Sequence, residues 1–260
     1  VALLFSVSRE KCKYKVKERM IKINSKNLGI LEIKEVSKEV AKELIVNNHY
    51  SGKWNNAGFG LYNFGYFRPG SDVCLGVAVF GYTMHPRSKL FTHPNPNAIM
   101  LELNRMWISD ELGKNAESLL ISRSLKMLSK LNHNVVAVQS FADGRVGCGT
   151  IYKASNFKYY GSHKTIFAKN KRTGEINHKM NITRMDSKSI YIRNNVSLLL
   201  GDLQFFKVDT YRYIYPLCKH FKPKFKQEAY PEYKKGTETH HHIIDKELVK
   251  ERLKGFIDEL

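Results

Sequence analysis

The chain has 260 residues, 42% of them hydrophobic, which is enough for a substantial core. Its 43 Lys and Arg against 24 Asp and Glu leave a formal net charge of +19. That excess goes beyond what solubility needs and points to a polyanionic partner, nucleic acid ahead of an acidic membrane surface, while no apolar stretch approaches the ~20 residues of a membrane span. The cysteines Cys12, Cys74, Cys148 and Cys218 are scattered without metal-type pairing, so they read as reduced thiols rather than as a disulfide scaffold.

In chain order, residues 1–35 carry a basic run (Arg9, Lys11, Lys13, Lys15, Lys17, Arg19), with Tyr14, Val16, Met20, Ile21 and Ile23 in strand-like alternation between the charges. Residues 30–36 read as a strand. Ser37 is placed to cap a helix whose apolar face is Val40, Ala41, Leu44 and Ile45, and a polar-aromatic loop, residues 49–54, follows. Residues 59–67 and 74–82 are strand candidates, and 84–98, with His85, His93 and several prolines, is a loop. Residues 99–108 form a central strand. Alternation puts Leu101, Leu103, Arg105 and Trp107 on one face and Glu102, Asn104 and Met106 on the other.

A turn at 110–114 precedes a helix from Asn115 to Leu131, with Leu120, Ile121, Leu125, Leu128 and Leu131 at helical spacing. Residues 135–141 are an apolar strand, 150–155 one or two helical turns, and 157–160 a strand closed by Gly161. Further on come a hairpin at 164–180 turning at 171–174, a short helix at 187–200, a strand at 211–217 and an amphipathic helix at 246–260. The pattern predicts an α/β fold, a mixed sheet flanked by helices, with a basic extension (1–35), one main domain (36–215) and a basic tail with a helix (216–260).

Several residues have chemical potential. A helix opening at Asn115 offers free N–H groups to a diphosphate, with Gly113 allowing close approach and Lys114 adding charge; a capped structural helix looks the same in sequence. Arg105 within a strand needs a carboxylate or phosphate partner, and Asp143 at the end of the next strand is the natural one. The loop residues His49, Tyr50, Lys53 and Trp54 suit the holding of a splayed-out base, although Trp54 fits a core position equally well. His240, His241 and His242 read as a solvated tail. Cys148, between two glycines, reads as a close-packing residue and not as a nucleophile.

The block Ala142-Asp143, then Gly149-Thr150-Ile151-Tyr152-Lys153-Ala154-Ser155-Asn156-Phe157-Lys158-Tyr159-Tyr160-Gly161, is similar to the end of the GNAT-type N-acetyltransferase fold. It resembles the phage Mom proteins, which modify adenine in DNA, more closely. The strand Glu102-Leu103-Asn104-Arg105, the helix start Glu117-Ser118 and the pair His49-Tyr50 match the same family. The resemblance implies a GNAT-type fold and conversion of adenine to N6-(carbamoylmethyl)adenine in double-stranded DNA. It implies Asp143, Tyr152, Arg105 and Tyr50 as catalytic residues, and Ser118, Gly113, Lys114, Asn115 and Asn156 for acetyl-CoA. His49, Lys53 and Trp54 would hold the substrate, no metal is specified, and the site of action is the cytoplasm of the host bacterium. The turn before Asn115 departs from the glycine-richer acetyltransferase loop. Two alternatives stand beside this reading: a conventional N-acetyltransferase for a protein, polyamine or RNA amine, and a non-catalytic DNA-binding protein.

Overall fold

The computed structural model describes residues 20–84, 86, 90–178, 203–236, 239–241 and 246–259. The chain divides into two compact units. The first holds residues 1–140, 154–157 and 214–225, and the second holds 141–153, 158–213 and 226–260.

The first unit is built on a mixed sheet. β1 (Met20–Ser25), β2 (Gly29–Glu35), β3 (Tyr62–Phe67), β4 (Gly76–Tyr82) and β6 (Ile99–Ile108) pair antiparallel in that order, and β7 (Val135–Asp143) lies parallel to β6. Residues 20–35, expected within an extension, thus contribute two strands to the sheet. The short β5 (Phe91–Thr92) lies in the proline-rich loop and pairs with β11 (Lys222–Pro223), where the tilted rings of Phe91 and Phe221 have centroids 5.2 Å apart.

Helix α1 (Lys38–Asn48) starts as expected at Ser37, whose hydroxyl accepts the Val40 N–H at 3.3 Å. It buries Ala41 and Ile45 against Val77 and Val79 of β4. Helix α2 (Ala116–Leu131) covers the opposite face, where Tyr62, Phe64 and Tyr66 stand opposite Phe80, Ala78 and Gly76, and where the Tyr66 hydroxyl donates to the Ala116 carbonyl at 3.0 Å. The expected turn at 110–114 begins with a 3-10 turn, Asp110–Leu112.

The central strand differs from strict alternation. Val79 stands opposite Arg105 but the next residue, Phe80, stands opposite Leu103, so Asn104 is the extra residue of a bulge. Leu101 and Leu103 therefore face α2. Glu102, Arg105 and Trp107, opposite Gly81, Val79 and Val77, face α1. This corrects the expected grouping of Arg105 with Leu101 and Leu103: one inserted residue moves everything beyond it to the other face.

In the second unit, α3 (Thr150–Ala154) follows the glycine turn, and β8 (Lys158–Asn170) forms a hairpin with β9 (Ile176–His178) around the turn at 171–174. β10 (Leu203–Pro216) lies beside β8, and β12 (Thr239–His241) pairs with Phe206–Val208 of β10. His240 and His241 are thus strand residues, and His242 lies outside the described residues. Gly161 does not end its strand. With φ +83 it passes through the left-handed region and the strand runs on to Asn170. Alternation breaks there: Tyr159 packs against Tyr211 and Tyr213, while Thr165, on the far side of the glycine, meets Thr210 at 2.7 Å. Helix α4 (Lys246–Asp258) places Val249 against Ala168 and Phe205. The helix expected at 187–200 lies outside the described residues, as do Lys11, Lys13, Lys15 and Lys17.

Candidate active site

At the end of α1 the chain turns through His49. The Ser51 N–H donates to His49 Nδ1 at 3.1 Å, and the Ser51 hydroxyl stands 2.9 Å from the same atom. An Nδ1 that accepts leaves Nε2 as the protonated nitrogen of a neutral ring. Burial, then the positive charge of Arg105, pushes the imidazole pKa down to about 4. Tyr50 lies tilted on the His49 ring, 4.2 Å between centroids, and is 65% exposed. Lys53 is exposed as well. Trp54 packs into the α1 core cluster and meets Phe59 edge-on at 5.6 Å, and its indole N–H is buried with no acceptor among the described residues.

Arg105 occupies the same face. Its guanidinium lies 4.9 Å from the Phe59 ring centroid, a cation–π distance, and donates to the Asn104 carbonyl at 2.6 Å. The loop residues and Arg105, named separately in sequence, therefore belong to one neighbourhood of the first unit.

A polar cluster that sequence reasoning did not assign sits on this face too. The recorded β6–β7 ladder runs from Ile99–Val135 to Glu102–Gln139, and at that last rung Gln139 Nε2 donates to Glu102 Oε2 at 2.9 Å. Asn104 Nδ2 points to Glu102 Oε1 at 3.4 Å and to the Tyr82 carbonyl at 3.5 Å. The signal available in sequence was three polar residues interrupting apolar strands, Glu102 and Asn104 in β6 and Gln139 in β7.

The start of α2 carries the residues expected for a cofactor. Gly113 (φ 68) and Asn115 (φ 70) both adopt left-handed backbone, and Gly113, Lys114 and Asn115 are exposed. Asn115 makes no side-chain cap, and the Ser118 hydroxyl donates to the Asn115 carbonyl at 3.2 Å. The first-turn N–H groups therefore have no side-chain acceptor at the cap position.

In the second unit, Asp143 is held by Arg145, whose backbone N–H donates at 2.9 Å and whose Nε donates to both carboxylate oxygens at 3.0 Å. The Arg145 guanidinium also lies 4.1 Å from the Phe167 ring centroid. Tyr152, on α3, is half-buried and packs 5.2 Å from the ring of Tyr213, whose hydroxyl donates to the Cys148 carbonyl. Cys148 is buried in that turn, as its glycine neighbours led one to expect. Asn156, which belongs to the first unit, follows α3 with φ 63, a left-handed conformation that Asn tolerates. Arg105 belongs to the first unit and Asp143 to the second, and the ion pair recorded for Asp143 is the one with Arg145.

Among the described residues no group of three or more His, Cys, Asp or Glu is arranged to hold a metal ion, and no helix is long and apolar enough to cross a membrane.

Comparison with known proteins gives a family match and distant structural likenesses. The methylcarbamoylase mom of Escherichia phage Mu is 34% identical over 211 residues, 77% of this chain and 83% of that protein. The ribosomal-protein-S5-alanine acetyltransferase from Vibrio fischeri is similar at a TM-score of 0.40 and 8% identity, over 77% of this chain and 98% of its own. A Bacillus subtilis acetyltransferase in complex with CoA is similar at a TM-score of 0.34 and 12% identity, over 70% of this chain and 85% of its own. The family model described as the Mom protein family matches residues 30–232, and the chain belongs to that family.

Proposed function

We propose that this chain is a DNA-modifying transferase that converts the exocyclic N6 amine of adenine to N6-(carbamoylmethyl)adenine in double-stranded DNA, within the infected host cell, and so protects phage DNA from restriction. The observation that carries the reading is the 34% identity to the phage Mu methylcarbamoylase over 77% of the chain. The charge of +19 supports it, since a duplex is the polyanion such a surface attracts.

The adenine amine is a poor nucleophile because its lone pair is delocalised into the ring. Attack is helped when a carboxylate accepts one of its hydrogens, and Asp143, its plane fixed by Arg145, is assigned that part. Tyr152, which would donate a proton, and Arg105, which would stabilise negative charge developing on an acyl donor, are the other two residues assigned to the chemistry. Tyr50, exposed on the His49 ring, offers a stacking surface to an extruded base, with Lys53 for a flanking phosphate and His49 and Trp54 shaping the floor.

An acyl-CoA donor, acetyl-CoA in our reading, would supply the two carbons of the carbamoylmethyl group, whose amide nitrogen has to come from a separate nitrogen donor. The residues at the start of α2 fit its diphosphate. Gly113 has nothing within 4 Å of where a Cβ would be, Lys114 is exposed, and the helix N-terminus carries partial positive charge. Ser118 and Asn156 complete the set assigned to this group.

Nucleosides prepared from the DNA of cells expressing the protein, read by mass spectrometry, test the reading. A deoxyadenosine heavier by one carbamoylmethyl group is expected, together with resistance to nucleases whose sites contain adenine. Unaltered nucleosides alongside an acetylated protein, polyamine or RNA would replace this function with that of a conventional acetyltransferase.

A further inference from the structure

Glu102, Asn104 and Gln139 have amide orientations that can be read from their donors. Gln139 Nε2 gives its hydrogen to Glu102 Oε2 at 2.9 Å, and Asn104 Nδ2 faces Glu102 Oε1 at 3.4 Å and the Tyr82 carbonyl at 3.5 Å. Flipping either amide would set its oxygen against an acceptor, so the nitrogens belong on that side. The oxygens are then Gln139 Oε1 and Asn104 Oδ1. Both are buried with no hydrogen-bond partner among the described residues, on side chains only 3% and 6% exposed. Each such acceptor carries a desolvation cost that a ligand donor removes.

The place is set by the bulge. Asn104 is its extra residue, and its Oδ1 lies 2.5 Å from where a Cβ on Gly81 would be, while Gly81 stands directly opposite Glu102. Glu102 is half-buried, so the cluster has a side toward solvent. It also closes the recorded β6–β7 ladder. Two partnerless amide oxygens, on side chains that flank one carboxylate, thus lie at a strand irregularity on the face that carries His49, Phe59 and Arg105.

We propose that Glu102, Asn104 and Gln139 form an acceptor niche that binds and orients the exocyclic –NH2 of the target adenine. This rests on the DNA-modifying function proposed above. A neutral planar amine fits better than an ammonium because Arg105 places a fixed cation on the same face. A small hard cation is matched poorly, since the niche offers a single carboxylate beside two neutral amides. The niche positions the amine and assigns no proton transfer.

The test compares the affinity of the wild-type protein for two duplexes. They are identical except that one carries adenine, and the other purine lacking the exocyclic amine, opposite an abasic site, so that neither base is paired. Adenine is expected to bind at least about tenfold more tightly, the scale of a hydrogen bond to a charged acceptor. Gln139→Met, which keeps the volume and removes the oxygen, is expected to narrow that ratio while affinity for an undamaged duplex stays the same. Equal affinity of the wild-type protein for the two duplexes overturns the niche, whatever the variant does, and so covers a variant that fails to fold. Competition by spermidine that erases the adenine preference would replace the base by a polyamine and also overturn it. The two readings fail separately. Modified nucleosides with no preference for the amine remove the niche alone, whereas an adenine preference with unaltered nucleosides removes the proposed function and leaves a base-binding site.

Discussion

His49 is half-buried at the mouth of a loop whose Ser51 N–H already donates to its Nδ1, so taking a second proton means losing that bond and facing Arg105. Its pKa is pushed down to about 4 from an ordinary 6.5, so below pH 6.5 the unfolded chain takes up the proton first. Stability is therefore unaffected by this group above pH 6.5. It is lost progressively as pH falls from 6.5 toward 4, by an amount bounded at ~3 kcal/mol. Other histidines add their own slopes, His163 and His178 among them, since burial lowers both. The informative quantity is thus a difference. His49→Gln, an uncharged acceptor in the same place, is expected to lose less stability than the parent between pH 7.5 and 4.5 in urea melts. Parallel losses would show that the imidazole protonates as readily folded as unfolded.

At the scale of elements, the turn before α3 depends on Gly149. With φ +89 its backbone is in a region closed to most residues, and a Cβ would stand 2.6 Å from Tyr213 Cε2 and 2.9 Å from Ala142 Cβ. Gly149→Ala is expected to destabilise by ~2 kcal/mol or more, because strain and overlap act together. Gly113→Ala, with φ 68 but open space around it, is expected to cost about half as much, and thermal melts of the two variants check the order. The Gly-Cys-Gly sequence already pointed to close packing there. The helices α1 and α2 and the strand Ile99–Ile108 were equally legible, because periodicity and a Ser cap are local signals. What escaped was set by partners distant in sequence. The Asn104 bulge exists only in register with β4, and it moved Arg105 to the face of His49. Gly161 reads as a terminator until the strand beside it holds the chain straight through to Asn170. The Glu102–Gln139 contact bridges 37 positions between two strands that sequence placed but could not align. Of the site, then, the residue types near His49 and Arg105 were readable, and their common face was not.

For the molecule as a whole, the dominant quantity is the formal charge of +19. A duplex surrounded by condensed counterions releases them as lysines and arginines neutralise its phosphates, so affinity falls with salt at a log–log slope of about −0.9 per phosphate contacted. This term is independent of base sequence and of the niche at β6 and β7. The sequence offers two concentrations of positive charge outside the strands that carry the candidate residues: Lys11, Lys13, Lys15 and Lys17 near the start, and Lys219, Lys222, Lys224 and Lys226 after β10. Those four later lysines are exposed, and Lys222 belongs to the β5–β11 pair. Replacing Lys11, Lys13, Lys15 and Lys17 with Gln is expected to flatten the slope by up to about 3 to 4. Affinity at low salt should fall, with CoA binding unchanged, because the diphosphate seat assigned above lies at the start of α2. Equilibrium titrations of both proteins with one unmodified duplex across a salt series measure this directly. An unchanged slope would assign the early lysines to solvent and direct the same substitution to Lys219, Lys222, Lys224 and Lys226, whose removal should then reduce the slope in their place.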